Sequence, residues 1–466
     1  MYSCIYKYHS DDTKGDTDQI EHEPLDLEVP VKTTLQLSKF INIKAFPKLT
    51  YSKLRTVARL PHFKSAKELL LGCIKRNMET PLNVVAARQD AVVHKTILRF
   101  KKYYCKENVD ELLTEFQASP VTYTKENLKH FLDTKSDTYL KSIRNNPRSW
   151  EDTEVSFYNM FPKTDIKALT DDITEYDKIQ TVVYHDRDIT MYYSSIFLEI
   201  KRRLKTILKK NVIYADGYTP EEMQDFYRRN TSKLSKKYYL ENDFSKYDKT
   251  QLQTIMELEY SLYRMLGLDT EVIRDWRNGH LTTTLMSRSL GIKIIVSFQR
   301  KSGDATTSLG NTLVCILTVC AVYDIEEFEF AGFLGDDSVI CLRSKPQFSS
   351  ISETFLRDFN LIAKYKVYED YGYFLSYFIF EHQGQMFSRY DPFKRLIKLG
   401  KALKPDTIIG DVFQSFKDTC KYFNDQVINE KLMEFVNIRY EKQLNCQLPS
   451  LLYQLSNNFK IFSSLY

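Results

Sequence analysis

The stretch Phe328-Glu329-Phe330-Ala331-Gly332-Phe333-Leu334-Gly335-Asp336-Asp337-Ser338-Val339-Ile340-Cys341-Leu342 is two apolar runs broken by three turn-forming residues. The runs predict strands over 328–334 and 338–342, and Gly335-Asp336-Asp337 suits the tight turn of a hairpin. Two carboxylates then project at a strand-strand turn. Gly-Asp and Asp-Ser are also ordinary turn chemistry, so the hairpin alone does not assign them a task.

Working outward, Tyr238 to Phe244 reads as a strand, followed by a helical pattern of Leu252, Ile255, Met256, Leu262 and Leu266 that ends at Gly267. Asp243 lies near the end of that strand, where a carboxylate is costly to desolvate unless paired, hydrogen-bonded or bound to a metal. If the strands are neighbours, Asp243, Asp336 and Asp337 converge with no histidine or cysteine nearby in sequence. Such a hard-oxygen set suits Mg²⁺ carrying substrate phosphates, and a two-metal phosphoryl-transfer site follows. Asp248, with Gln251 three residues on, is a candidate helix N-cap. Ile292 to Phe298 reads as a further strand and Leu309, Leu313, Ile316, Leu317 and Cys320 as a buried helix. Between them, Ser302 and Gly303 let backbone approach a ligand, while Thr307 and Asn311 share one helical face, a set suited to a ribose hydroxyl. A structural helix start capped by Asp304 is the plainer reading.

Composition sets the bounds. The chain has 466 residues, 43% hydrophobic and 27% charged, which excludes a disordered or fibrous protein. The net charge of +5 is too small to prove a polyanionic partner, so any nucleic-acid channel must come from local clustering. The eight cysteines form no Cys-x-x-Cys pair or His-flanked cluster, which argues against zinc and for reduced thiols in a cytosolic setting. No signal-peptide pattern opens the chain, and its longest apolar stretch, around Leu313 to Tyr323, is far short of the roughly 20 residues that span a bilayer. Residues from about Asp11 to Glu28 are acidic and poor in apolar groups, as in a tail or linker. Ile196 to Lys210 is an amphipathic basic helix, either a solvated face or part of a local basic cluster for a nucleic acid.

Together the blocks resemble a known family. Asp243-Phe244-Ser245-Lys246-Tyr247-Asp248 is similar to motif A, Ser302-Gly303 with Thr307 and Asn311-Thr312 to motif B, and Gly335-Asp336-Asp337 to motif C of viral RNA-dependent RNA polymerases, in the same order and at matching separations. Lys246 to Gln251, Gly303-Asp304-Ala305 before Leu309-Gly310-Asn311-Thr312, and Asp391 to Gly400 resemble the alphavirus-like superfamily of positive-strand RNA viruses. Weaker similarities are Lys75-Arg76-Asn77 and the stretch containing Lys163, Lys167 and Lys178 to the basic motif F, Phe359 to Lys364 to motif D, and Tyr373-Phe374-Leu375-Ser376 to motif E.

The resemblance implies an α+β right hand: fingers, a palm on a small antiparallel sheet flanked by helices, and a thumb. The division is an acidic tail or linker over 1–34, an N-terminal extension and fingers over 35–235, a palm over 236–385 with a fingers insertion at about 268–290, and a thumb over 386–466. It also implies RNA-templated addition of ribonucleotides. Asp243 and Asp336 would bind two Mg²⁺ ions, or Mn²⁺, with Asp337 assisting. Asp248, Ser302, Thr307 and Asn311 would recognise the ribose 2′-hydroxyl, with Gly303 beside them in the nucleotide-binding set. Lys163, Lys167 and Lys178 would offset triphosphate charge, and Lys364, with Lys366 as its rival, would protonate pyrophosphate. Lys394, Arg395 and Lys398 would hold product-strand phosphates. The implied partners are RNA template and product, ribonucleoside triphosphates, and other viral replicase subunits (helicase, capping enzyme), since no Gly-x-x-x-x-Gly-Lys-Ser/Thr loop or capping signature is present. The implied setting is the host cytoplasm, at replication membranes through partners. Two alternatives stand beside it. One is a catalytically silent RNA-binding remnant of the same fold. The other is a reverse transcriptase, disfavoured because Asp248 stands where a bulky steric gate is expected.

Overall fold

The computed structural model describes residues 34–37, 49–54, 56, 66–74, 77, 89–144, 154–163, 180–232, 236–323 and 325–466. Its strands are, in chain order, β1 (Thr34–Leu37), β2 (Phe157–Lys163), β3 (Gln180–Tyr184), β4 (Val212–Tyr214), β5 (Tyr238–Ser245), β6 (Thr283–Ser287) and β7 (Ile292–Val296). There follow β8 (Phe330–Leu334), β9 (Asp337–Leu342), β10 (Ile362–Glu369), β11 (Tyr371–Phe374), β12 (Tyr377–His382) and β13 (Gln385–Tyr390). Helices fill the intervals, so the chain is mixed α+β.

The sheet that organises the molecule has the order β10-β5-β9-β8-β4. Its strands pair antiparallel except at one edge, where β4 runs parallel to β8. The expected purely antiparallel sheet is therefore corrected to a mixed one. The strand responsible is only Val212–Tyr214 and buried at every position, too short and too uniform to show a period. It is delivered by the helix Arg187–Ile207, whose Ile196, Ile200, Leu204 and Ile207 are fully buried.

One face of the sheet packs on the helix Thr307–Tyr323, apolar all round and buried along almost its whole length, as a helix inside a large core must be. The other face carries Tyr239, Val339 and Cys341 against Phe374, Ile379 and Met386 of the three-stranded meander β11-β12-β13. Gly372 allows that approach, since a Cβ there would lie 2.5 Å from the Tyr239 ring. The far side of the meander, with Tyr371, Phe378 and Phe380, is covered by Phe416, Leu432, Phe435 and Val436 of the C-terminal helices Ile409–Cys420 and Gln426–Tyr440.

A second five-stranded sheet, β1-β7-β6-β2-β3, is also mixed, with β2 parallel to β6. Residues 268–290 supply the helix Thr270–Leu281 and strand β6 to this layer. No helix among the described residues is long and apolar enough to cross a membrane. The acidic stretch 11–28 lies outside the described residues.

Candidate active site

The Gly335 turn joins β8 to β9, with Leu334 paired to Asp337 and Gly335 at φ +63°, a left-handed conformation that favours glycine. Its N–H donates to the Thr312 hydroxyl at 2.8 Å, which ties the turn to the long buried helix. β5 lies between β9 and β10. Asn242 pairs with Ser338, so Asp243, one position further on, falls beside Asp337, and Lys364 is its direct partner on the other side. Cross-strand neighbours share a face, so Asp243, Asp337 and Lys364 lie on the face packed against the meander. The chain then turns through left-handed Lys246 into a short helical turn, Tyr247–Thr250, that carries Asp248.

These carboxylates feel one another. Lost solvation raises the pKa of Asp336, and the charges of Asp243 and Asp248 raise it further. Asp337 is pushed up to about 6 by lost solvation and by the charges of Asp336 and Asp243, against the pull of Lys394 and Arg439. Both side chains reach solvent. The donors are carboxylate oxygens, the chemistry of a hard divalent cation, and their mutual repulsion is what such an ion would relieve. No three His, Cys, Asp or Glu side chains among the described residues are gathered tightly enough to clasp one ion as they stand. An arriving cation would have to draw them in.

Facing them is a cationic wall. Lys394 stands 3.3 Å from the Ser376 hydroxyl and 5.1 Å above the Tyr373 ring. Arg439 lies 3.7 Å over the same ring and binds Glu241 at 2.9 Å. Burial pushes Glu241 up to about 7 even so. Asp391, fully buried, accepts from the Tyr373 hydroxyl at 2.9 Å and caps the helix Pro392–Leu399.

Among the ribose candidates, Asp248 and Asn311 are joined, the Asn311 Nδ2 donating to Asp248 Oδ1 at 2.9 Å. The others are engaged elsewhere. Ser302 accepts from the Val183 N–H at 3.1 Å and donates to the Thr181 carbonyl at 3.3 Å. Gly303 docks on β3 where a Cβ would lie 2.8 Å from Tyr184. The Thr307 hydroxyl is directed at the carbonyls of Lys301 (2.7 Å) and Asp304 (2.9 Å). Asp304 is buried and bonded to His280 at 2.8 Å, and its Oδ1 also accepts from the Thr306 N–H at 2.7 Å, so it caps the turn that enters the helix while anchoring the loop from inside.

The basic candidates divide. Lys394 alone among Lys394, Arg395 and Lys398 interacts with the acidic end of the sheet. Arg395 is 8% exposed, its guanidinium 4.6 Å over Phe416 in the helical core, and Lys398 bonds the Tyr390 hydroxyl at 2.7 Å. Lys163 ends β2 and is exposed, whereas Lys167 and Lys178 lie outside the described residues. The helix Arg187–Ile207 has much of its charge engaged. Arg203 donates to the carbonyls of Phe116, Ser119 and Leu266, Lys201 pairs with Asp216, and Arg202 with Glu199.

A sequence model described as RNA dependent RNA polymerase matches residues 24–464. The chain belongs to the RNA-dependent RNA polymerase family. Like the polymerases its motifs resemble, it has viral relatives of the alphavirus-like superfamily. It is 27% identical over 429 residues to the replicase large subunit of Youcai mosaic virus, covering 88% of this chain and 26% of that protein. It is 28% identical over 424 residues to the replicase polyprotein 1ab of grapevine leafroll-associated virus 3, covering 89% and 15%. It is 28% identical over 364 residues to the replicase large subunit of tobacco mosaic virus (strain B935A), covering 74% and 21%. The chain thus spans about a quarter or less of the length of these relatives.

Four charged residues at this site escape a reading of motifs. Glu241 and Arg439 are 198 positions apart, and nothing local joins them. Glu259 and Arg300 form a fully buried ion pair behind Asn311. One signal for that pair is present in the sequence: Glu259 falls on the apolar stripe of its helix, four residues after Ile255 and three before Leu262. A charge on such a stripe requires a buried partner.

Proposed function

We propose that this chain is a viral RNA-directed RNA polymerase that adds ribonucleotides to an RNA 3′ end under the direction of an RNA template. The observation that carries the reading is the register of β5 against β9, which sets Asp243 beside Asp337 with Asp336 at the adjoining turn. Under this reading the mixed sheet is the palm, the β1–β7 layer belongs to the fingers, and the helices after Asp391 form the thumb.

Asp243 and Asp336, with Asp337, would hold a pair of Mg²⁺ ions. Bound there, these would supply Lewis-acid stabilisation of the attacking and leaving oxygens at the α-phosphate. The chain's own groups do the rest. Asp248 and Asn311 offer an acceptor and a donor to the ribose 2′-hydroxyl, and Lys394 with Arg439 sets positive charge at the mouth of the carboxylate cleft. Proton transfer to pyrophosphate is assigned to Lys364 rather than Lys366, a choice supported by its pairing with Asp243, whereas Lys366 pairs with Glu241. The further partners proposed are helicase and capping subunits of a viral replicase, at replication membranes in the host cytoplasm.

The test is primer extension on an RNA template with ribonucleotides and Mg²⁺. Asp336→Ala is expected to lower the rate by about a thousandfold or more, since such charge stabilisation amounts to several kcal/mol and each 1.36 kcal/mol is tenfold. Equal synthesis by parent and variant would remove Asp336 from the chemistry.

A further inference from the structure

Behind the Asp248–Asn311 contact lies a chain of side chains that never reaches the cleft. Glu259 is completely buried and accepts from both terminal nitrogens of Arg300, one bond at 3.1 Å. Tyr263 donates to the same carboxylate, and Arg300 also reaches the Thr306 hydroxyl at 3.0 Å, so the guanidinium is held at both terminal nitrogens. Its Nε–H lies between two amide oxygens, 3.0 Å from Gln251 Oε1 and 3.1 Å from Asn311 Oδ1. Gln251, fully buried, donates its Nε2 to that same Asn311 oxygen at 2.8 Å.

This arrangement decides which way the Asn311 amide points. Its two ends are nearly the same size and differ in hydrogen bonding: the oxygen accepts and the nitrogen donates. On the inner side the amide meets only donors, Arg300 Nε–H and Gln251 Nε2–H, so the oxygen must face inward and the NH₂ outward, at Asp248. A flipped amide would set NH₂ against two donors inside and oxygen against the Asp248 carboxylate outside, leaving buried groups unsatisfied. The backbone reinforces the lock. Phe298 and Gln299 both take left-handed conformations, at φ 55° and 58°, and the N–H groups of Gln299 and Arg300 bond the carbonyls of Gln251 and Asp248 at 3.1 and 2.9 Å. The segment before Ser302 is thereby pinned to the turn that carries Asp248.

We infer that Arg300, clamped by Glu259 and acting through Gln251, is a positioning residue for ribose selection: it holds Asn311 in the one amide orientation that presents NH₂ to Asp248 and to an incoming 2′-hydroxyl. The inference rests on the polymerase reading and adds to it two buried charges and an amide that do not touch the nucleotide.

The test uses Gln251→Glu, which replaces one NH₂ by oxygen at almost constant volume, and Glu259→Gln, which removes the charge that holds Arg300. Two quantities are read for each protein: the ratio of kcat/KM for ATP over 2′-deoxy-ATP in primer extension, and the ratio of their dissociation constants by equilibrium titration without primer. In Gln251→Glu the inner side of Asn311 gains an acceptor, the amide turns over, and both ratios fall by tenfold or more. Glu259→Gln shifts them in the same direction by a smaller factor. Ratios within twofold of the parent in folded Gln251→Glu would overturn the inference, because loss of mere structural support lowers use of both nucleotides alike. The titration keeps the two readings separate. A parent that synthesises no RNA refutes the polymerase reading, while its ratio of dissociation constants still judges the role of Arg300.

Discussion

Gly310 lies one residue before Asn311, in the first turns of the helix Thr307–Tyr323, and the change to test is Gly310→Ala. In a helix interior that substitution ordinarily stabilises by about 1 kcal/mol, because alanine loses less backbone freedom on folding. Here the added methyl would lie 2.5 Å from one terminal nitrogen of Arg300, 2.6 Å from the other and 2.6 Å from Glu259 Oε1, where real Cβ contacts essentially never fall below 3.0 Å. The group that must move is thus the buried ion pair itself. Losing one partner of such a pair costs about 3–5 kcal/mol, which sets the upper bound for forcing the two apart. Set against the helix gain, the expectation is a net destabilisation of up to about 2–4 kcal/mol, opposite in sign to the usual effect. Urea unfolding followed by intrinsic tryptophan fluorescence checks it. Trp276 is packed 4.4 Å from Tyr193 in the same core and reports its integrity. A midpoint equal to or above the parent's would refute the claim that Arg300 and Glu259 leave no room at this position.

Two further expectations follow from the carboxylate end of the sheet. The folded pKa of Asp337, about 6, lies above the ordinary carboxylate value of about 3.9, so between those pH values the folded state binds more protons than the unfolded one and stability falls as pH rises. Asp337→Asn should therefore flatten the thermal stability profile between pH 4 and 7 and melt higher than the parent at pH 7 in EDTA, with added Mg²⁺ raising the parent's melting temperature more than the variant's; superimposable profiles would contradict the charge crowding. Thr312→Val keeps the side-chain shape but leaves the Gly335 N–H without its acceptor, and should cost about 1–3 kcal/mol by denaturation together with a lower rate of primer extension.

What could be read from the sequence was local. The hairpin around Gly335, the strand ending at Ser245 and the helix beginning at Thr307 each announce themselves through period and turn chemistry within about fifteen residues. The convergence of Asp243 with Asp337 depends, in the sequence, on their strands being neighbours, and the register of β5 on β9 meets that condition. What could not be read depends on where hydroxyls and charges find partners after the chain has folded. Ser302 and Thr307 carry the residue types that suit a ribose, yet their hydroxyls meet backbone carbonyls: Ser302 that of Thr181, brought close by the docking of Gly303 on β3, and Thr307 those of Lys301 and Asp304 in its own loop. Arg395 belongs to a basic run in sequence, but the helix Pro392–Leu399 turns it toward Phe416 while Lys394 faces the cleft. The strand Val212–Tyr214 offers too few residues for any pattern.

The position of β5 in its sheet bears on how the protein is made. This strand is synthesised before both of its neighbours, β9 at Asp337–Leu342 and β10 at Ile362–Glu369, so on the ribosome it waits with two unsatisfied edges while about a hundred further residues emerge. A nascent chain halted in that interval would expose Tyr239 and Leu240 on a strand ready to pair with any other, and the acidic cluster would not yet exist. Slow codons placed between residues 245 and 337 are therefore expected to reduce soluble yield more than the same codons placed after residue 370.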